Sequence, residues 1–469
     1  MAERLIELRR AGSGAGVAES AGSAAAATPR PLTRRAFIET YGCQMNLGDS
    51  ELMAGVLAER GYVTVDDPSV ADVIIVNTCA IREHAEQRVR GRIGQLQRHR
   101  EANPELVLAV TGCMAQRLGG DLLASTSGVD VVAGPDAYRD IGRMIDDIRL
   151  GDVARGQLLL ALDADENYED LATVRREGVT AWVTVQRGCD HRCTFCIVPY
   201  VRGPEKNREP AAVLAEVADA VEAGFTEVTL LGQTVNSYRL GDWDFARLLR
   251  AVARVEGVRR VRFTSPHPND VTRGLIEVIA SEPAVCPQLH LPVQSGSDRM
   301  LKRMVRRYTT AEFLETVERV RAGVPGIALS TDVIVGFPGE TEEDFEATLE
   351  LMRRVRFDDA FMYRYSPRDG TPATRLPAGD FVDEDVSGER LERLIGLHRD
   401  IQREIARSEI GQVREVLIER EARSDGDVLG RTPHNKVVAF PGELAEVGRY
   451  ERVRLVSTSG ATFRGERVA

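Results

Sequence analysis

The sequence predicts an α/β chain built as two successive parallel β/α layers followed by a small all-β barrel. Three textures carry that prediction. From Ala36 onward, short β-branched runs alternate with helical stretches, which is the pattern of a parallel α/β layer. A second alternating series begins at AWVTVQRG and runs through six strand candidates, enough for a partial or complete β/α barrel. Beyond a long charged helix, roughly Ser387 to Arg407, the pattern changes to short β-rich segments.

The elements follow in order. Residues 1–33 are Ala/Gly/Ser-rich without aromatic or β-branched periodicity, so they are expected to form a disordered arm. The first α/β domain is expected over 34–160. Its strands are AFIETY, DVIIVNT, LVLAVTG and VDVVAG, and its helices include DSELMAGVLAERGY and PDAYRDIGRMIDDI. A looser acidic connector is expected around Asp163 to Gly178. The barrel, over 175–408, takes its strands from AWVTVQRG, TEVTLLG, RRVRFTS, CPQLHLPV, IALSTDVIVGF and DDAFMYRYS. Residues 409–469 hold REVLIER, DVLGRT, KVVAF and RYERVRLVSTSGATFRGERV, read as a five-stranded barrel that either handles RNA or caps the fold.

Composition narrows the classes. With 469 residues, 43% hydrophobic and 28% charged, the chain has ample core-forming material for several domains. It contains no apolar run of about eighteen residues and no apolar signal core, so no membrane association and a cytoplasmic location are expected. A net charge of −11 argues against a generally basic coat for nucleic acid, although a local basic patch remains compatible with RNA. Seven unevenly placed cysteines are too few for a disulfide scaffold and point to thiolate ligands.

Cys189, Cys193 and Cys196 form a C-x3-C-x2-C triplet in GCDHRCTFC, straight after a predicted strand. Three thiolates on one loop can hold three irons of a [4Fe–4S] cluster and leave the fourth without a protein ligand. Zinc is the alternative, but it usually takes four ligands from paired C-x2-C elements or histidines. His191 is either a further ligand or an exposed loop residue. Cys43, Cys79 and Cys113 are far apart in sequence, yet each follows a predicted strand, so a parallel sheet brings their loops to one edge. They form a second three-thiolate site or are unrelated buried cysteines. Cys286 has no cysteine neighbour and is expected to be a buried structural thiol.

The motifs TYGCQMN, ADVIIVNTCAIRE, TGCMAQ, CDHRCTFCIVPYVRG, LGQTVNSY, HLPVQSGSD and DVIVGFPGET, in that order, resemble the methylthiotransferase family of radical S-adenosylmethionine (SAM) enzymes from about residue 36 to the C-terminus. TYGCQMN together with CTFCIVPYVRG is most similar to the branch acting on isopentenylated adenosine beside the anticodon of tRNA. The branches acting on threonylcarbamoyladenosine or on a ribosomal-protein aspartate differ at the Gln44-Met45-Asn46 motif and are the alternative. The resemblance implies a Rossmann-like first domain, a radical SAM partial TIM barrel and a TRAM-like C-terminal barrel. It also implies two [4Fe–4S] clusters. On the Cys189/Cys193/Cys196 cluster SAM would be cleaved to a 5′-deoxyadenosyl radical; the Cys43/Cys79/Cys113 cluster would carry sulfur that a second SAM methylates. An electron donor and a sulfur or cluster source are implied partners, and a monomer is expected. An aromatic C–H is not acidic enough for a side-chain base, so radical chemistry from a cofactor suits the reaction.

The same resemblance places Phe195 beside the adenine of SAM. Gln233 and Asn236 are candidates for the SAM amino group, because their loop ends the strand where radical SAM barrels bind it; Gln294 and Ser295, at another strand end, are candidates for its ribose or carboxylate, and Gly336 for close backbone approach at the adenine. Polar loop and turn chemistry are the alternatives for these positions. Arg202, Glu205 and Arg208 resemble family positions near the second cluster and the RNA; a solvated charge run is the other reading. His267 is expected to pack rather than to catalyse. Arg431, Lys436 and Arg464 are candidates for phosphate contacts or members of a solvated face. Two departures stand out: Asn207 where the family commonly has Ser, and Val305 where it commonly has Asn.

Overall fold

The first sheet is laid down by runs such as VIIVNT and VLAVTG, in which every residue is buried. Strands covered on both faces read as continuous apolar runs, and this sheet is parallel throughout. The computed structural model describes residues 34–80, 83–126, 128–175 and 178–468. The expected N-terminal arm lies outside them.

The first layer contains β1 (Arg34–Thr40), α1 (Gln44–Glu59), β2 (Tyr62–Thr64), β3 (Val73–Thr78), α2 (Glu83–Leu96), β4 (Val107–Gly112), α3 (Cys113–Leu118), α4 (Gly120–Ser125), β5 (Val131–Ala133), α5 (Tyr138–Leu150) and β6 (Gln157–Leu159). The strand order is β2-β1-β3-β4-β5-β6. Helices α1 and α5 cover one face around Met53, Leu57 and Ile145, and α2 to α4 cover the other around Ile93, Met114 and Leu122. The order reverses between β1 and β3, and such a switch point opens a crevice beyond the C-terminal strand ends. Helix α1 starts at Gln44, five residues before the stretch expected from its apolar pattern, because extended Cys43 serves as its N-cap.

The acidic connector is tied down rather than loose. Arg139 of α5 bonds both Glu166 and Asp170, and the buried Tyr168 donates its hydroxyl to Pro135 O at 2.9 Å. The aromatic ring and the ion pairs anchor a segment whose acidity suggested solvent.

The second layer runs β7 (Thr180–Thr184), β8 (Gln186–Arg187), α6 (Val198–Arg202), β9 (Lys206–Asn207), α7 (Pro210–Glu222), β10 (Glu227–Leu231), β11 (Arg239–Leu240), β12 (Trp243–Asp244), α8 (Phe245–Ala253), β13 (Arg260–Phe263), α9 (Arg273–Ser281), β14 (Gln288–His290), α10 (Asp298–Arg303), α11 (Thr310–Gly323), β15 (Ala328–Val335), α12 (Glu342–Val355), β16 (Asp359–Arg364) and α13 (Glu384–Glu409). The sheets β7-β10-β13 and β14-β15-β16 are parallel and are joined by a Val261–Val285 bridge, giving a partial six-stranded barrel. Its core lies between strands and outer helices, with Val183, Leu230, Leu249, Leu289, Val333 and Phe345 buried together.

A closed barrel follows, formed by β17 (Val413–Glu421), β18 (Asp427–Arg431), β19 (Val437–Pro441), β20 (Tyr450–Ser459) and β21 (Thr462–Arg467). Val416, Val438, Phe440 and Leu455 fill it. Arg260 and Arg262 of β13 donate to the carbonyls of Arg431, Glu415, Thr432 and Pro433, and so fasten it to the larger barrel. Among the described residues, no helix is long and apolar enough to cross a membrane.

Candidate iron–sulfur and SAM site

Cys43, Cys79 and Cys113 follow β1, β3 and β4, three adjacent strands, at the C-terminal edge of the first sheet. Two glycines let the loops close on each other. Gly42 has φ +121°, and a Cβ there would overlap Cys79 Cβ; Gly112 has φ +91°, and a Cβ would overlap Thr78 O. A side chain at either position would push the cysteines apart.

The barrel triplet meets this edge through α6. Ile197, next to Cys196, packs with Val201, Ala80 and Cys113 in one small apolar cluster. Arg202, at the end of α6, donates from Nε to Cys113 Sγ at 3.2 Å and from Nη2 to Asp49 at 2.6 Å. Asp49 is fully buried and also accepts from Arg187 Nη1 at 2.7 Å. Burial alone would raise the Asp49 carboxyl, yet Arg202 and Arg187 hold it below the usual range. Helix α6 therefore touches Cys113 at both ends, through Ile197 just before it and Arg202 at its close, and it begins two residues after Cys196.

None of the seven cysteines is in a disulfide. Cys43 is lowered by a hydrogen bond from Cys79, against the cost of burial, with further help from the Arg202 charge. Burial, then Cys193, pushes the Cys196 thiol up to about 12. Among the described residues, the one set of three ligand-type side chains with all donor atoms within 4.8 Å of one another is His191, His267 and Asp270. Each cysteine set supplies three soft thiolate donors and no fourth protein ligand among the described residues, a donor set that fits a [4Fe–4S] cluster. Arg202 Nη1 is buried without a partner beside Cys113, as a donor facing an anionic group would be.

The remaining predicted positions divide. Gln233 keeps a buried Oε1 with no partner at the strand end. Phe195 stands edge-on to Phe337, with ring centroids 6.5 Å apart. Gln294 is buried with φ +68°, and its backbone bonds Asp332 and Ile334. Asn236 spends both ends of its amide on the His267 backbone, at 2.9 and 2.7 Å, and latches that loop. Ser295 is fully buried, accepting from Ser297 N–H and facing Thr348. Gly336 donates its N–H to Glu340 at 2.7 Å, and a Cβ there would lie 2.6 Å from Ser387 Cβ of α13.

Glu205 is half-buried and accepts from Ser237 Oγ at 2.8 Å. Arg208 is turned inward, bonded to Thr184 O and Glu216, and Arg202 is buried at the cysteines, so neither belongs to a solvated charge run. The C-terminal cations are also engaged: Arg431 with Glu419, Lys436 with Asp358, and Arg464 with Asp427. His191 stacks on His267 at 3.9 Å, and burial drives the His267 imidazole down to about 2. Cys286 is buried and its thiol is pushed up by burial. Sequence reasoning missed Asp49, Arg187 and Arg306, whose partners lie far away in the chain. The glycines directly before Cys43 and Cys113 were the available signal for the first cysteine set.

Three family models match: Uncharacterized protein family UPF0004 over residues 35–134, the Radical SAM superfamily over 183–352, and the TRAM domain over 407–468. The partial barrel with its three-cysteine loop is that of a radical SAM enzyme, a class that uses a [4Fe–4S] cluster and SAM. Similar curated proteins are the tRNA-2-methylthio-N(6)-dimethylallyladenosine synthases of Chloroherpeton thalassium, 43% identical over 92% of this chain and 95% of that one, and of Porphyromonas gingivalis, 45% identical over 92% and 95%. The chain belongs to this family of tRNA-2-methylthio-N(6)-dimethylallyladenosine synthases. Among solved structures, the radical SAM methyltransferase TsrM from Kitasatospora setae, with cobalamin and a [4Fe-4S] cluster bound, aligns with a TM-score of 0.56 at 14% identity over 73% of this chain and 74% of that one. The cobalamin-dependent SAM radical enzyme OxsB aligns at 0.51 and 13% over 78% and 56%. At such identities the likeness is one of fold.

Proposed function

We propose that the chain replaces the C2 hydrogen of N(6)-isopentenyladenosine, beside the anticodon of tRNA, with a methylthio group. The observation that carries the reading is the meeting of two separate three-cysteine sets across α6, with Ile197, Ala80 and Cys113 in one cluster. When bound, a SAM-cleaving cluster supplies a radical and an auxiliary cluster supplies sulfur. The chain's own part is to hold three thiolates at each place and to screen the Cys43/Cys79/Cys113 set with Arg202. Cys189, Cys193 and Cys196 would hold the first cluster; Cys43, Cys79 and Cys113 the second. Gln233, with its unpartnered Oε1, is the predicted polar contact best placed for SAM. Tyr200, 44% exposed on α6 between the sets, offers a ring on which a base can stack. SAM would serve twice, as radical source and as methyl donor, and an electron donor and a sulfur source are required partners. We place the enzyme in the cytoplasm as a monomer. The relatives' shared name favours isopentenylated adenosine over threonylcarbamoyladenosine or a ribosomal-protein aspartate.

Anaerobic protein should contain about eight irons, falling to about four when either cysteine set is replaced by alanine. Cys189→Ala should abolish SAM cleavage, whereas Cys43→Ala should stop methylthiolation of tRNA and leave deoxyadenosine formation. Methylthio product from the Cys43 variant would refute the division of labour. Nucleoside mass spectrometry of tRNA from a deletion strain should show loss of the 2-methylthio derivative with its isopentenyl precursor retained.

A further inference from the structure

Each cysteine set is faced by one buried arginine, but the two arginines are not equivalent. Arg202 shares its charge with Asp49, at 2.6 Å. Arg306, which follows α10, is only 8% exposed and donates from Nη1 to Cys193 Sγ at 3.4 Å. Its other bonds go to neutral acceptors: Nε to Tyr308 Oη at 3.0 Å, and Nη2 to Pro292 O at 3.0 Å. Among the described residues no carboxylate lies within ion-pair distance of Arg306.

A guanidinium does not lose its proton in a protein, so it must stay charged where it is buried. A buried charge without a counterion is costly. The chain nevertheless builds a rigid seat for Arg306. Thr194, inside the cysteine loop, donates its N–H to Met304 O at 3.0 Å and its hydroxyl to Arg303 O at 3.1 Å. The segment carrying Arg306 is thereby stitched to the loop carrying Cys193. His267 beside it adds no second positive charge, since burial keeps that imidazole neutral. The negative charge that Arg306 answers is that of the thiolate loop itself.

We infer that Arg306 is the built-in countercharge of the Cys189/Cys193/Cys196 cluster and that its hydrogen bond to Cys193 raises the reduction potential of that cluster. The inference rests on reading this triplet as the SAM-binding cluster. A cluster held by three thiolates becomes more negative on accepting an electron, and both a nearby cation and an N–H···S bond favour the reduced form. Arg202 acts on the other set with its charge already divided, so its removal should move the other cluster's potential less. Arg306 is a positioning and tuning residue and not one that touches substrate.

The test is an EPR-monitored redox titration of the full anaerobic chain in the absence of SAM, with Cys43, Cys79 and Cys113 replaced by alanine so that one cluster is observed. Arg306→Gln should make the cluster at least tenfold less reduced at a fixed poise, a midpoint about 59 mV lower for one electron. Arg306→Lys, which keeps the charge, should recover most of that loss. An unchanged midpoint in Arg306→Gln, with iron content intact, would overturn the inference. Should Arg306→Gln hold no cluster, protein with Arg306 intact and 15N-labelled guanidinium groups carries the test. It should show a weak 15N coupling on the reduced cluster that Arg306→Lys alters, and its absence would exclude the contact. If the chain with Arg306 intact takes up no iron, the reading of the triplet fails instead.

Discussion

The two cysteine sets are built by opposite means. Cys189, Cys193 and Cys196 lie within eight residues on one loop, and Arg306, which bonds Cys193, has no carboxylate partner among the described residues. Cys43, Cys79 and Cys113 come from three strand ends, and the fold has to bring them together before they can act as a set. That assembly leans on two glycines and on a buried charge group in which Asp49 joins α1 to Arg187 and Arg202 of the second layer. A local motif needs little from the fold, whereas a dispersed one makes the contact between layers part of the site.

The strongest way to break the comparison is to remove the carboxylate that serves only the dispersed set. Asp49→Asn leaves two buried guanidinium groups without their countercharge and should cost about 3–5 kcal/mol, read as a fall in the urea midpoint of the full chain. A loss below about 1 kcal/mol would mean that something other than Asp49 compensates those cations. Gly42→Ala should cost somewhat less, about 2–4 kcal/mol, because the new Cβ overlaps Cys79 and φ of +121° is strained for alanine. Its diagnostic consequence is selective: iron should fall from about eight to about four per chain, with SAM cleavage retained. Loss of both clusters together would show that the two sets do not assemble independently.

Much of this was legible in the sequence for a physical reason. Strands buried on both faces must be apolar and β-branched, so VIIVNT, VLAVTG and EVTLL announced themselves, while IALSTDVIV and the short C-terminal segments were marked by the alternation of half-buried strands. Cysteines placed after strands could be assigned to one sheet edge from connectivity alone. Side-chain partnerships were not legible. Asp49 and Arg202 are separated by 153 positions, and Arg306 and Cys193 by 113, so nothing local marks them as pairs. Asn236 looked like a ligand-facing amide because its loop ends a strand, yet both its polar atoms hold the His267 backbone. Nor did anything local mark Glu419, Asp358 and Asp427 as the partners of Arg431, Lys436 and Arg464.

The local set is not without strain, and its smallest expected effect sharpens the contrast. Val305, 37% exposed, stands between α10 and Arg306 with φ +57°, in the left-handed region that β-branched residues avoid. The turn there directs Arg306 back toward Cys193, so the strain belongs to the clasp on the cysteine loop. Asparagine, the residue common at this position in the family the sequence resembles, tolerates that conformation because its short amide bonds locally. Val305→Asn should therefore raise stability by about 1 kcal/mol, seen as a higher urea midpoint. Val305→Ala, which keeps a Cβ but loses the branch, should gain less. If asparagine gains nothing over alanine, the side chain of Val305 must be offsetting its backbone through packing, and the local set would then depend on tertiary contacts as the dispersed one does.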